Sequence, residues 1–228
     1  MNLLVISGGR HPYEESTPVL ERFLKDAGHE ATVTEDASVL ADAAGTSGYD
    51  ALVFNTLRAG DNHMTKAEQT GMTNFIKNGK GFVCLHISGC ASDDWPEYYD
   101  ITGGGWVMGK SFHPPYGQFN VDVKDLNHPG AQGISDFMTN DELYMNIEYK
   151  EGNDVFVTSE FEEGTYARNN PQGEQIPMPG GTFPLGWTRM FGSGRVYVTL
   201  LGHNGLSFET PELQKIVLNG VDWVTSKD

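Results

Sequence analysis

The chain has 228 residues, 38% of them hydrophobic and 20% charged, with a formal net charge of −16 at neutral pH. That acidity argues against nucleic acid and against anionic membrane surfaces, which are bound through clustered Lys and Arg. Only two cysteines, Cys84 and Cys90, are present, which excludes a disulfide scaffold and fits a reducing cytoplasm.

No segment approaches the roughly 20 apolar residues of a membrane span. The opening MNLLVISGG lacks the basic stretch of a signal peptide, so a cytoplasmic protein is expected. The length fits one large α/β domain burying about three quarters of the surface its unfolded chain exposes. With no linker composition anywhere, residues 1–228 are expected to form a single domain.

Leu3 to Ile6 is an apolar run ending in Ser7-Gly8-Gly9, a strand feeding a glycine turn. Pro12 precedes a helix whose Val19, Leu20, Phe23, Leu24 and Ala27 fall at helical spacing, and Gly28 closes it. A strand at Ala31–Thr34, a short helix near Val39–Ala44 and an all-apolar strand at Ala51–Phe54 follow. Thr65 with Glu68 reads as a capping box on a helix that buries Met72, Phe75 and Ile76 and ends at Asn78-Gly79. The run Phe82 to Leu85 is a buried strand that delivers His86 to a turn closed by Ser88 and Gly89. This alternation of strand and helix predicts a parallel sheet with right-handed crossovers.

After Gly89 the rhythm changes. A short aromatic helix is expected over Ala91–Tyr99, then Gly103-Gly104-Gly105 and the loop His113-Pro114-Pro115. Strands follow with little helix between them: Phe119–Val123, Glu142–Ile147 and Val155–Ser159. Asn169–Gly181 reads as a long surface loop. Leu185–Met190 and Arg195–Leu201 form a hairpin around Gly192-Ser193-Gly194, and Pro211 opens a last helix with Leu213, Ile216, Val217, Val221 and Val224 on one face.

The chemistry concentrates at element ends. Of seven histidines, His11, His86 and His203 each follow a strand, His113 lies in the loop after the triple glycine, and His128 in NHPG reads as a turn residue. In a doubly wound sheet the carboxyl ends of parallel strands share one edge, which brings His11, His86 and His203 within reach of each other. Asp141-Glu142, in NDELYMNIEY, offers a carboxylate to orient a histidine or bind sugar hydroxyls. Trp187 and Arg189 alternate on one strand face, a pair suited to the wall of a carbohydrate site. The triple glycine lacks the Lys-Ser/Thr of a phosphate-binding loop. Cys84 is a packing residue within its strand, and Cys90 is a weak candidate nucleophile.

The segments GFVCLHISG, WPEYYDITGGGW, FHPP, NHPG, DELY and FPLGWTRMFGSGRVYVTLLGHN, in this order, resemble the trehalose-utilisation (ThuA-like) family along essentially the whole chain. The resemblance implies an α/β fold: a flavodoxin-like, doubly wound, mostly parallel sheet with helices on both faces and extra antiparallel strands in the C-terminal half. It also implies kinship with class I glutamine amidotransferases. The nucleophilic Cys of such an enzyme would fall at His86, its catalytic His at His203, and the carboxylate two residues further on at Gly205. With both nucleophile and carboxylate replaced, glutamine hydrolysis is expected to be lost.

The family association implies work on sugars, including 3-keto disaccharides or glycosides. His86, His203 and Glu142 are the expected catalytic groups, and His11, Tyr13, His113, Trp187 and Arg189 the expected substrate contacts. His86, His113 and His203 could hold a divalent metal such as zinc. The expected partner is a small neutral carbohydrate, because the acidic chain repels phosphates at long range. A homo-oligomer is left open. Two other readings stand beside the enzyme: a non-catalytic sugar-binding protein on the same scaffold, and a residual amidase using Cys90.

Overall fold

The computed structural model describes residues 1–167 and 174–226. In chain order its strands are β1 (Asn2–Gly8), β2 (Glu30–Thr34), β3 (Ala51–Thr56), β4 (Gly81–Leu85), β5 (Gly104–Gly105), β6 (Gly117–Val123), β7 (Phe137–Asp141), β8 (Glu148–Tyr149), β9 (Asp154–Phe161), β10 (Gly164–Ala167), β11 (Gln175–Met178), β12 (Gly181–Phe191) and β13 (Gly194–Thr199). The helices are α1 (Tyr13–Asp26), α2 (Ala43–Thr46), α3 (Lys66–Lys77), α4 (Tyr98–Thr102), α5 (Gly205–Phe208) and α6 (Pro211–Thr225). None of the described helices is long and apolar enough to cross a membrane.

One nine-stranded sheet, ordered β2-β1-β3-β4-β13-β12-β9-β6-β7, runs through the molecule. Its first five strands are parallel, and from β13 onward each neighbour is antiparallel. The parallel strands are buried on both faces, so they read as continuous apolar runs. Their alternation still divides the core in two. Leu3, Val5, Val53 and Val83 face α1 and α6, whereas Leu4, Ile6, Leu52, Phe82 and Cys84 face α3 and α4. Thr65 and Glu68 make the reciprocal capping box that starts α3.

Four local expectations need correction. The aromatic helix starts late, at Tyr98, because Pro96 disfavours helical backbone at Trp95 and the chain first makes a turn from Ser92. The helix near Val39–Ala44 is two short pieces, a 3₁₀ turn at Ala37–Ala41 and α2, each capped by an aspartate, Asp36 and Asp42. The strand expected over Glu142–Ile147 is instead β7, which ends at Asp141. Leu143, Tyr144 and Met145 are apolar and buried but leave the sheet, and Asn146 sits at φ 51°. Of the loop expected at 169–181, residues 169–173 lie outside the described part, and Gln175–Met178 is a strand paired with β10.

Candidate functional site

The parallel strands end on one edge of the sheet, and that edge carries the site. β4 delivers His86, which adopts φ 51°, a left-handed conformation rare for a residue with a side chain. The turn after it is pinned by Ser88. The Ser88 hydroxyl donates to the Phe54 carbonyl and accepts the Thr56 N–H, both at 2.9 Å, and Tyr98 donates to the Ser88 carbonyl at 2.8 Å. The triple glycine has a packing role. A Cβ on Gly105 would lie 2.4 Å from the Gly89 carbonyl oxygen, so two backbones meet here where no side chain fits.

His11 arrives from β1, His203 from the loop after β13, and Glu142 from the end of β7. Nε2 of His86 lies 3.2 Å from Nε2 of His11, 3.4 Å from Nδ1 of His203 and 3.4 Å from Oε2 of Glu142. Glu142 Oε2 is in turn 3.2 Å from His203 Nδ1. The Tyr144 hydroxyl also contacts His86 Nε2. His113 approaches from the other side, its Nε2 3.4 Å from Glu142 Oε1.

A cleft of about 390 Å³ opens onto this cluster. Trp106, His113 and Tyr116 form its walls, with Met178 of β11 beside them, and Glu142 and His203 reach it from the cluster. Trp106 packs on Tyr144 with ring centroids 4.6 Å apart, and Tyr116 on His203 at 5.2 Å.

Residues 2–224 match the family described as ThuA, trehalose utilisation. The chain belongs to the ThuA family. Its fold is similar to that of a ThuA-like protein from Parabacteroides merdae, at 20% identity with a TM-score of 0.77, covering 99% of this chain and 89% of that one. A ThuA-like protein from Bacteroides uniformis is 19% identical with a TM-score of 0.74, covering 100% and 91%. A cytoplasmic protein of Salmonella typhimurium is 12% identical with a TM-score of 0.67, covering 99% and 100%. No curated protein matches the chain.

In this ThuA chain electrostatics separate the members of the cluster. Burial alone would raise the Glu142 carboxyl, but hydrogen bonds from His203 and His86 hold it well below the ordinary carboxylate range. Burial works against a charged His203, yet the bond to Glu142 raises it above the usual imidazole value. Burial, with the neighbouring His86, lowers His11 to about 4. Asp141, fully enclosed, is raised by burial.

Three sequence expectations are altered. Trp187 is fully buried, its indole donating to the Thr102 carbonyl at 2.8 Å, and Arg189 bonds Asn153 at 2.9 Å; neither lines the cleft. They do share a face, but β12 runs antiparallel to β13, so Arg189 pairs with Val196 at the end of β13 remote from His203. In place of the expected His86, His113 and His203, the converging ligand-type atoms belong to His11, His86, Glu142 and His203. Tyr13 lies next to His11, rings 5.9 Å apart, but is nearly buried and its hydroxyl has no protein partner.

Trp106, Tyr116 and Tyr144 are not among the residues the sequence singles out, and Asp141 is named there only together with Glu142. The signals were faint: an aromatic after the triple glycine, another after His-Pro-Pro, and a tyrosine two residues beyond Glu142.

Proposed function

We propose that this ThuA-family chain is an enzyme of carbohydrate metabolism acting on a neutral sugar or 3-keto sugar, with His86, His203 and Glu142 as its reacting centre. The observation that carries this reading is the cleft, whose aromatic and imidazole walls lead to a buried carboxylate–histidine cluster. Flat apolar walls with a few convergent polar groups suit a sugar ring, which shows C–H on its faces and hydroxyls at its edge. At the cleft floor, an ionised Glu142 beside His203 supplies groups able to take and return a proton next to a carbonyl or hydroxyl carbon. The acidic chain favours a free sugar over a sugar phosphate.

Purified protein incubated with trehalose, 3-ketotrehalose, 3-keto-glucosides and trehalose phosphate, and followed by mass and NMR, tests the reading. Conversion of a keto sugar or free disaccharide, abolished in His203→Ala and in Glu142→Gln, is the expected result. Binding without conversion would make the chain a sugar-binding protein. Conversion of the phosphorylated sugar alone would overturn the substrate class.

A further inference from the structure

Four ligand-type atoms converge from four distant segments: Nε2 of His11, Nε2 of His86, Nδ1 of His203 and a carboxylate oxygen of Glu142, all within 4.8 Å of one another. Four of their six separations, 3.2 Å (His11–His86), 3.4 Å (His86–His203), 3.4 Å (His86–Glu142) and 3.2 Å (His203–Glu142), have a simple geometric meaning, and the other two, from His11 to His203 and to Glu142, are within 4.8 Å. Nitrogen and oxygen ligands bind zinc tetrahedrally at about 2.0–2.1 Å, which puts neighbouring ligand atoms about 3.3–3.4 Å apart.

Hydrogen-bond direction leads to the same place. The Leu200 carbonyl, 2.8 Å from His86 Nδ1, can only accept, so that nitrogen carries the proton. The Arg10 carbonyl, 2.5 Å from His11 Nδ1, fixes the second ring in the same way. As neutral rings the two would aim the lone pairs of Nε2 at each other across 3.2 Å, with the Tyr144 hydroxyl able to donate to His86 alone. A proton on His86 Nε2 relieves that pair and bonds Glu142, but leaves His203, the carboxylate and the Tyr144 hydroxyl all gathered on one nitrogen. A cation at the centre serves all four. Carbonyl-oriented imidazoles are also how metal-binding histidines are commonly held.

We propose that His11, His86, His203 and Glu142 form a mononuclear site for a divalent transition metal, with zinc the best match to three imidazoles and one carboxylate. Glu142 and His203 reach the cleft, so the ion would lie at its floor, where a fifth, substrate oxygen could join. Only the identity of that oxygen rests on the sugar reading above; the ion's binding does not, and with the ion held His86, His203 and Glu142 would serve as its ligands rather than as free proton carriers. His113, on the far carboxylate oxygen, stays outside the ligand set.

The test uses the full chain, stripped with chelator and titrated with Zn(II) and with Co(II), read by calorimetry, the visible Co(II) spectrum and thermal melting. One ion per chain, an intense four-coordinate Co(II) spectrum and a raised Tm are expected. His11→Ala and Glu142→Gln should each weaken binding at least ten- to hundredfold, since even outer residues of metal sites cost that much. If His11→Ala does not fold, His203→Ala, also only partly buried, carries the same readout.

His63→Ala should bind as wild type, because His63 lies apart in the surface cleft with Asp93 and Asp94. Absence of stoichiometric binding, a six-coordinate Co(II) spectrum, unchanged affinity in His11→Ala, or loss of the ion in His63→Ala would each overturn the proposal. Metal binding without sugar turnover would count against the proposed function and leave the site standing. Undiminished turnover in protein that binds no metal would do the reverse.

Discussion

The buried carboxylate of Asp141 holds the loop that carries His203. It accepts the backbone N–H of Gly202 at 2.7 Å and of His203 at 3.2 Å, and at its own strand end the N–H of Glu142 at 2.9 Å. One side chain thus sets the backbone of two site residues that are far apart in sequence. Asp141→Asn keeps the shape but turns an acceptor into a donor facing N–H groups. Leaving buried donors unmatched costs about 1–3 kcal/mol. The expected outcome is a lower urea midpoint of that size with an unchanged slope, together with weakened metal binding.

The left-handed backbone at His86 makes a second prediction. A residue with a Cβ costs roughly 1–2 kcal/mol more than glycine in that conformation. His86→Gly should therefore be more stable than His86→Ala by about 1 kcal/mol, although both lose the imidazole. Chemical denaturation of the two variants side by side checks it. Equal stabilities, or a less stable glycine variant, would show that the conformation stores no strain.

Neither thiol should act as a nucleophile. Cys84 is wholly enclosed, and burial pushes Cys90 up to about 12, far from the thiolate an amidase needs. We expect no ammonia from glutamine, and alkylation of both cysteines only after unfolding. Ammonia release abolished by Cys90→Ala would restore the amidase reading.

Tryptophan fluorescence should separate cleft from core. Trp106 lines the cleft and Trp187 does not. A sugar that binds should change the emission of wild type and of Trp187→Phe, and leave that of Trp106→Phe nearly flat. A response carried by Trp187 would mean that the ligand enters elsewhere.

His128 is expected to make the fold acid-sensitive. Its Nδ1 accepts the Gly130 N–H at 2.9 Å, its Nε2 meets the Thr188 hydroxyl at 3.0 Å, and its ring stacks on Phe156. Burial lowers its pKa, outweighing the opposite pull of Asp154 and Asp125. The unfolded chain takes up a proton near the ordinary imidazole value of about 6.5 while the folded chain resists it. This contribution is present above that pH and lost as pH falls through the window down to the lowered folded value. His128→Asn, which can keep the cap on Gly130, should flatten the urea midpoint against pH as pH falls below about 6.5. An unchanged pH slope would remove His128 from the account.

Periodicity made the doubly wound half legible, since apolar runs such as Leu3–Ile6 and Phe82–Leu85 are what two-faced burial demands. The same signal misplaced the strand after Asp141, because Leu143–Met145 are as apolar as a strand yet are buried outside the sheet. Hydrophobicity reports that a residue is inside, not which element holds it. Arg189 failed for a related reason: alternation identifies its face, whereas the direction of β12 decides which end of the sheet it reaches, and Trp187 is wholly buried against the Thr102 carbonyl. His11 was legible from its strand end, and it does meet His86, whereas His113 sits in a proline-rich loop where no periodicity aims a side chain, so its place beside Glu142 had to come from geometry.

His11 and His86 are 75 residues apart, and His86 and His203 are 117 apart. Contacts of such long range form late, because the entropy of closing large loops must be met before they give anything back. The cluster can therefore exist only once β13 has docked on β4 and β7 has reached the same edge. A nascent chain that has emerged only as far as β12 carries three of the four groups and cannot assemble them. Whatever this cluster binds is thereby withheld from partly folded molecules.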